Sequence, residues 1–300
     1  MIPPAATASE RPHPFLVGGI AFIGAAGFGV IVVLARLSYD WGVNPPTLLF
    51  LRAVTFWVGL ALILRALGRP IALPPSDRYA SLGIGVLLAA ETLCAYSAII
   101  YIPVSLSVLL LYTYPLFVAL GMRLLGRERL TPVKLAALLT AFAGLALSLG
   151  ASVGSLDPRG IALGLVSGIG LATVVIASGQ VLSRVDSRRV ALHVTFSGSL
   201  TYAAVLALTG GLALPTGGEG WLLLAAIPAV YLVAELCFFT AIGLLGPSRM
   251  AMVGNLEPVT AILFAGLLLA EALTPLRLVG AALVIGAVLA MQVVGRARGA

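Results

Sequence analysis

Residues 125–132 read LGRERLTP, and residues 268–275 read LLAEALTP. Glu128, Leu130, Thr131 and Pro132 return as Glu271, Leu273, Thr274 and Pro275, whereas Arg127 and Arg129 give way to Ala270 and Ala272. What kind of chain repeats itself and drops its charges in the second copy?

Composition places the repeat in a bilayer. Of the 300 residues, 60% are hydrophobic and only 10% charged, and the mean hydropathy is +1.11, far from the mixed polarity of a soluble domain. Apolar runs of about the 20 residues that a spanning helix needs occur at 14–35, 47–64, 79–101, 103–122, 133–151, 160–182, 190–212, 221–244, 248–270 and 276–294. Ten spanning helices are expected. The first run is preceded by MIPPAATASERPHP, which has no basic n-region, so it reads as a retained helix and not as a signal peptide.

Loop charges orient the chain. With the N-terminus on one side, that side collects Arg11, Arg65, Arg69, Arg78, Arg123, Arg127, Arg129, Lys134, Arg184, Arg188, Arg189, Arg249, Arg296 and Arg298, against Arg36, Arg159 and Arg277 on the other. The positive-inside rule makes the first side cytoplasmic and puts both termini there. The net charge of +7 is thereby explained by topology: the basic residues are scattered over short loops, so no nucleic-acid partner is expected.

The repeat extends without a gap from 93–132 to 236–275. Matched residues include Leu93/Leu236, Cys94/Cys237, Ala98/Ala241, Ile99/Ile242, Ser105/Ser248, Pro115/Pro258 and Glu128/Glu271. Chance alignment of two apolar helices supplies leucines and alanines, not Cys, Ser, Pro, Glu and Thr together. The chain reads as a duplication. Each half holds five runs, an odd number, so the second half enters the membrane from the opposite side. The fold class expected is all-α integral membrane, with ten transmembrane helices as two inverted five-helix repeats.

Its parts are a short cytoplasmic N-terminus over 1–13, a first repeat over 14–151, a linker over 152–159, a second repeat over 160–295 and a cytoplasmic tail over 296–300. The missing arginines follow. The fourth run ends in the cytoplasm, where arginines are favoured, and the ninth ends outside. Both copies keep a helix-ending Glu and a Thr-Pro that starts the next helix, with Thr as N-cap and Pro in the first turn.

A proline followed by LGRERLTP and a glycine, once in each five-helix half over Pro115–Gly144 and Pro258–Gly286, resembles the EamA-type branch of the drug/metabolite transporter superfamily. Within that branch the chain looks most like the exporters of aromatic and other hydrophobic amino acids. The resemblance implies a ten-helix carrier with a central cavity between its halves. The small multidrug members of the superfamily carry an essential Glu in their first helix. Phe15–Ala35 contains no acidic residue, so that role does not carry over.

An ionisable side chain at the centre of a membrane helix costs about 2.5–3.5 kcal/mol on insertion scales, so each needs a reason to be there. Glu91, Glu235, Glu257 and Arg52 are such residues. Glu91 and Glu235 fall near the middle of symmetry-related runs but differ by 144 residues, one more than the repeat. Glu235 shares a helical face with Tyr231, Phe238 and Phe239, an acid set among aromatic rings that suits an ammonium group and an apolar side chain. The alternative is that the glutamates merely hydrogen-bond neighbouring helices. Arg52 either binds a carboxylate or snorkels to the outer interface. His193 reads as interfacial.

Pro115 and Pro258 each remove a helical hydrogen bond, from the carbonyls of Leu111 and Gly254. Their helices are expected to break there and expose acceptors that demand a polar cavity. Tyr112 and Tyr114 precede the first proline, and Asn255 and Glu257 hold the aligned places before the second. These nine side chains, Arg52, Glu91, Tyr112, Tyr114, Tyr231, Glu235, Phe239, Asn255 and Glu257, form the candidate cargo site.

Other features read as structural. Gly164 and Gly168 suit close helix packing, and Cys94 and Cys237 have the setting of buried free thiols. No HExxH, GxSxG, Walker lysine motif or acidic metal cluster occurs, so no catalytic residue, metal or cofactor is expected. The functional expectation is a secondary transporter exporting small organic metabolites, most of all amino acids, across the plasma (inner) membrane by alternating access, with no partner chain needed to build the cavity. Proton-coupled efflux of drugs or organic cations is the competing substrate class. An intramembrane lipid enzyme and a channel or scaffold are the other classes weighed.

Overall fold

The computed structural model describes residues 14–126, 132–150, 156–182, 184–245 and 256–297. They form helices α1 (Pro14–Tyr39), α2 (Pro45–Ala66), α3 (Pro75–Tyr101), α4 (Val104–Leu111), α5 (Tyr114–Leu124), α6 (Pro132–Gly150), α7 (Pro158–Leu182), α8 (Ser187–Thr209), α9 (Gly218–Leu245), α10 (Leu256–Leu268) and α11 (Pro275–Ala297). Seven stretches of the described chain are long and apolar enough to cross a membrane, one of them being Val104–Leu124, which α4 and α5 share. Leu135–Gly144, Leu256–Leu268 and Pro275–Ala287 are apolar over shorter lengths.

Local chemistry sets the helix starts. Proline opens α2, α3, α6, α7 and α11, where a missing N–H costs nothing. The Asn44 side chain accepts a hydrogen bond from the Thr47 backbone N–H at 3.0 Å, and Asp186 accepts from that of Arg188 at 2.8 Å. Thr274 caps α11 by accepting from the Arg277 N–H at 3.2 Å, as the Thr-Pro pattern predicts. Its counterpart Thr131 lies outside the described residues. Gly210 ends α8 in the left-handed conformation, φ 99°, open to a residue without a Cβ.

Starts of corresponding helices in the two halves are about 143 residues apart: Pro14 and Pro158, Pro45 and Ser187, Pro75 and Gly218, Pro132 and Pro275. Packing follows the same exchange. α1 packs on α9 and α10, while its counterpart α7 packs on α3, α4 and α5. α3 packs on α8, as α9 does on α2. α2 meets α8, and α6 meets α11. Nearly all of these contacts join one half to the other, so the halves interlock.

One crossing shows the symmetry at atomic scale. A Cβ on Gly27 would lie 2.7 Å from the Ala234 Cβ, and a Cβ on Gly170 would lie 2.5 Å from the Glu91 Cβ. Gly27 and Gly170 are repeat partners, and so are Ala234 and Glu91. The glutamate of one half thus stands where the other half has alanine.

The fourth apolar run departs from a single kinked helix. The chain breaks at Tyr112–Thr113, and the Thr113 side chain turns back to donate to the Leu110 carbonyl at 2.6 Å. Pro115 then sits in the first turn of α5, where it starts a new helix. Gly164 and Gly168 of α7 lie against the break: a Cβ on Gly168 would lie 3.0 Å from both the Leu110 carbonyl and the Thr113 hydroxyl. The GxxxG spacing lets one helix cover the polar backbone of another. Of the ninth run, 256–268 is helical and 248–255 lies outside the described residues.

Candidate functional site

Arg52 lies in the second turn of α2 between two aromatic rings, 4.2 Å from the centroid of Tyr231 and 5.1 Å from that of Tyr96. Its Nη1 donates to the Tyr96 hydroxyl at 3.0 Å. Its Nε is buried and has no hydrogen-bond partner among the described residues. The guanidinium is held by ring quadrupoles and one hydroxyl. Tyr231 in turn donates its hydroxyl to Glu235 Oε1 at 2.7 Å. Phe28 and Phe56 meet the Tyr231 ring edge-on at 6.1 and 5.7 Å, which fixes it in place.

These groups border a cavity of about 170 Å³, lined among others by Arg52, Glu235, Tyr231, Tyr202, Thr92 and Thr195. Gly85 of α3 and Val194 of α8 also line it, where these two helices pack closely. Larger hollows lie elsewhere. One of about 500 Å³ opens on the arginine-poor face beside Arg36, Asp40, Tyr101 and Glu271; its charges are already engaged, Arg36 with Asp40 at 2.6 Å and Glu271 with the start of α4.

Glu91 is buried, 7% exposed, and its Cβ packs beside Gly170. Its carboxylate accepts from the Thr92 hydroxyl at 2.8 Å, but Glu91 does not line the central cavity; its neighbour Thr92 does. One residue of offset, about 100° around a helix, separates the roles of Glu91 and Glu235. Glu257, in the first turn of α10, accepts from the Tyr112 hydroxyl at 2.9 Å, and the Tyr112 and Tyr114 rings meet edge-on at 6.1 Å. The break of the first half is thereby tied to the start of α10 in the second. Pro258 sits in the first turn of α10, a position that needs no donor. Asn255 and the Phe239 side chain lie outside the described residues. His193 places Nδ1 2.9 Å from the Arg189 carbonyl, near the arginine-rich end of α8.

Sequence reasoning missed Tyr96, Tyr202, Thr92 and Phe28. A signal was present for Tyr96: a buried arginine in an apolar run demands aromatic or acceptor groups on a neighbouring helix. It also underrated Glu271. This residue lies beyond the end of α10, with Ala270 in the left-handed conformation at φ 51°, and its carboxylate reaches the start of α4. It accepts from the backbone N–H of Val104 at 2.5 Å, that of Ser105 at 3.2 Å and the Ser105 hydroxyl at 2.6 Å. A residue of the second half thus caps a helix of the first. Buried Arg277 steadies the same loop by donating Nη1 to the Ala272 carbonyl at 3.0 Å.

Seven apolar stretches long enough to cross a membrane, set in two halves related by a repeat, define a multi-pass membrane protein. The profile of the EamA-like transporter family matches the chain twice, over residues 17–150 and 158–292, and the chain belongs to that family. A solved crystal structure of a protein 21% identical, covering 94% of this chain and 99% of its own, is similar with a TM-score of 0.63. At that identity the likeness speaks for the fold. No curated protein matches the sequence.

Proposed function

We propose that this transporter exports zwitterionic metabolites, above all aromatic and hydrophobic amino acids, across the plasma membrane. The observation that carries the reading is the arrangement of Arg52 and Glu235 on one cavity. The buried Nε of Arg52, without a hydrogen-bond partner among the described residues, suits a carboxylate, and Glu235 suits an ammonium group. Tyr231, Tyr202 and Phe28 supply apolar surface between them for a side chain. In this reading the inverted five-helix halves, 14–151 and 160–295 joined by 152–159, make ten spans with both termini in the cytoplasm. The halves rock about the site, and a single chain suffices.

The outer face is then the closed one. Glu271 ties to α4, the Thr216 backbone N–H donates to the Trp41 carbonyl at 3.2 Å, and the Ala213 N–H donates to the Thr47 hydroxyl at 2.9 Å, each linking the two halves.

Proton-coupled efflux of organic cations is the competing reading, favoured by the aromatic rings beside Glu235. One feature weighs against it: a buried arginine lining the cavity repels a cation. The test is uptake and counterflow in proteoliposomes containing only this protein, with amino acids, their decarboxylated amines and quaternary cations, with and without a pH gradient. Saturable amino-acid exchange is the expected result. Proton-driven transport of cations without amino-acid exchange would overturn the reading.

A further inference from the structure

On the arginine-rich face a second crevice of about 430 Å³ opens between α2, α3 and α8. Its mouth carries Arg65, in the last turn of α2, and Arg78, in the first turn of α3, both exposed. Among the described residues neither has a carboxylate partner. The acid next to Arg78, Asp77, is turned to Arg184 at 3.3 Å. The walls below are apolar apart from His193: Trp57 and Phe196 face each other with ring centroids 5.4 Å apart, with Leu82 beside them. Trp57 lies two helical turns deeper than Arg65, about 12 Å at 1.5 Å per residue. Phe196 is 38% exposed although it lies inside an apolar helix.

We infer that this crevice binds an anionic phospholipid, with the headgroup phosphate between Arg65 and Arg78 and an acyl chain against Trp57 and Phe196. The occupant must carry negative charge at interface depth and an apolar chain running inward along the helices, which a membrane lipid with a net negative headgroup supplies. A zwitterionic phospholipid offers the chain but leaves two guanidinium groups facing a neutral headgroup. A free phosphate offers the charge but leaves the apolar wall uncovered. Each basic residue at a membrane surface favours anionic lipid roughly fivefold. The inference needs no cargo and no direction of transport, so it stands or falls apart from the exporter reading.

The experiment places the full-length protein, with Trp41→Phe and Trp221→Phe so that Trp57 reports alone, in phosphatidylcholine vesicles. Phosphatidylglycerol or phosphatidylcholine with brominated chains is then titrated in. The expected result is quenching of Trp57 at a more than tenfold lower mole fraction for the anionic lipid. That preference should be lost in Arg65→Ala/Arg78→Ala and largely kept in Arg65→Lys/Arg78→Lys. Equal quenching by the two lipids, or a preference that survives the double alanine variant, would overturn the assignment. Millimolar inorganic phosphate abolishing the preference would mark a simple anion site and overturn it equally.

Discussion

Arg52 and Glu235 share Tyr231 and do not pair directly: the guanidinium lies 4.2 Å over the ring, and the ring's hydroxyl donates to the carboxylate at 2.7 Å. A direct salt bridge would use up both charges and close the cavity. Held apart by one aromatic ring, each keeps capacity for a ligand, and a zwitterion brings the complementary pair. Arg52→Gln should therefore lower export of amino acids more than of the matching amines. Loss of a charged hydrogen bond of about 1.5–3 kcal/mol corresponds to a ten- to hundredfold fall in transport efficiency. Arg52→Lys should not restore it, because lysine cannot stack between Tyr96 and Tyr231 as a planar group does. Counterflow of amino-acid and amine pairs measures this, and an equal loss for both members would refute the carboxylate role.

The two central glutamates should behave differently. Glu235 borders the cavity, whereas Glu91 packs beside Gly170 and bonds its neighbour Thr92. Glu235→Gln removes the charge facing the cargo and should raise the half-saturating amino-acid concentration at least tenfold, using the same charged-bond magnitude. Glu91→Gln keeps shape and hydrogen-bonding capacity and should leave that concentration within about threefold, a neutral bond being worth about 1 kcal/mol or less. Concentration-dependent uptake in proteoliposomes compares them, and a larger effect at Glu91 would reverse the assignment.

Much of the fold could be read from sequence because its signals are local. Apolar runs set helix positions within a few residues, and Thr274-Pro275 starts α11 as its chemistry requires. The one-residue slip between Glu91 and Glu235 was also visible, but its meaning was not: which face of α3 meets α7 depends on packing, and Gly170 decides it. The site was half legible. Buried charges announce themselves by their cost in a membrane, so Arg52 and Glu235 stood out. Tyr96, Tyr202 and Thr92 did not, because tyrosines and threonines are unremarkable in such helices until a third partner makes them a set. In the sequence Glu271 only ends its own helix; its partners, Val104 and Ser105, lie far away in sequence, and only the interlocked halves bring them near.

Glycines at the helix crossings give a stability test. A Cβ on Gly29 would lie 2.6 Å from the Glu257 carbonyl and 2.8 Å from the Ala261 nitrogen, backbone atoms that cannot swing away. Gly29→Ala should push α1 off α10 at a cost of about 1–3 kcal/mol and lower the thermal midpoint of the detergent-solubilised protein. Gly18 has nothing within 4 Å of such a Cβ, so Gly18→Ala should leave the midpoint unchanged or raise it slightly through better helix propensity. Equal midpoints for the two variants would mean that α1 and α10 do not pack this closely in the membrane.

Glu271 should act as a latch on the outer face. Its carboxylate takes three hydrogen bonds at the start of α4, where free backbone N–H groups and the helix dipole favour a negative charge. Because it belongs to the second half and α4 to the first, separating the halves on that side must break all three. Losing such a cap costs about 0.5–2 kcal/mol, which shifts a two-state equilibrium by roughly 2- to 30-fold. Glu271→Ala should thus increase the population open to the outside, and Ser105→Ala should do so more weakly by removing one bond of the three. Ile102→Cys, at a position buried in this structure and in a background with Cys94 and Cys237 replaced by serine, reports the change through its rate of labelling by a membrane-impermeant maleimide. Faster labelling in Glu271→Ala, with Glu271→Asp closer to the parent, is the expected order. Identical rates in all of them would leave Glu271 as a fixed cap that does not open with the carrier.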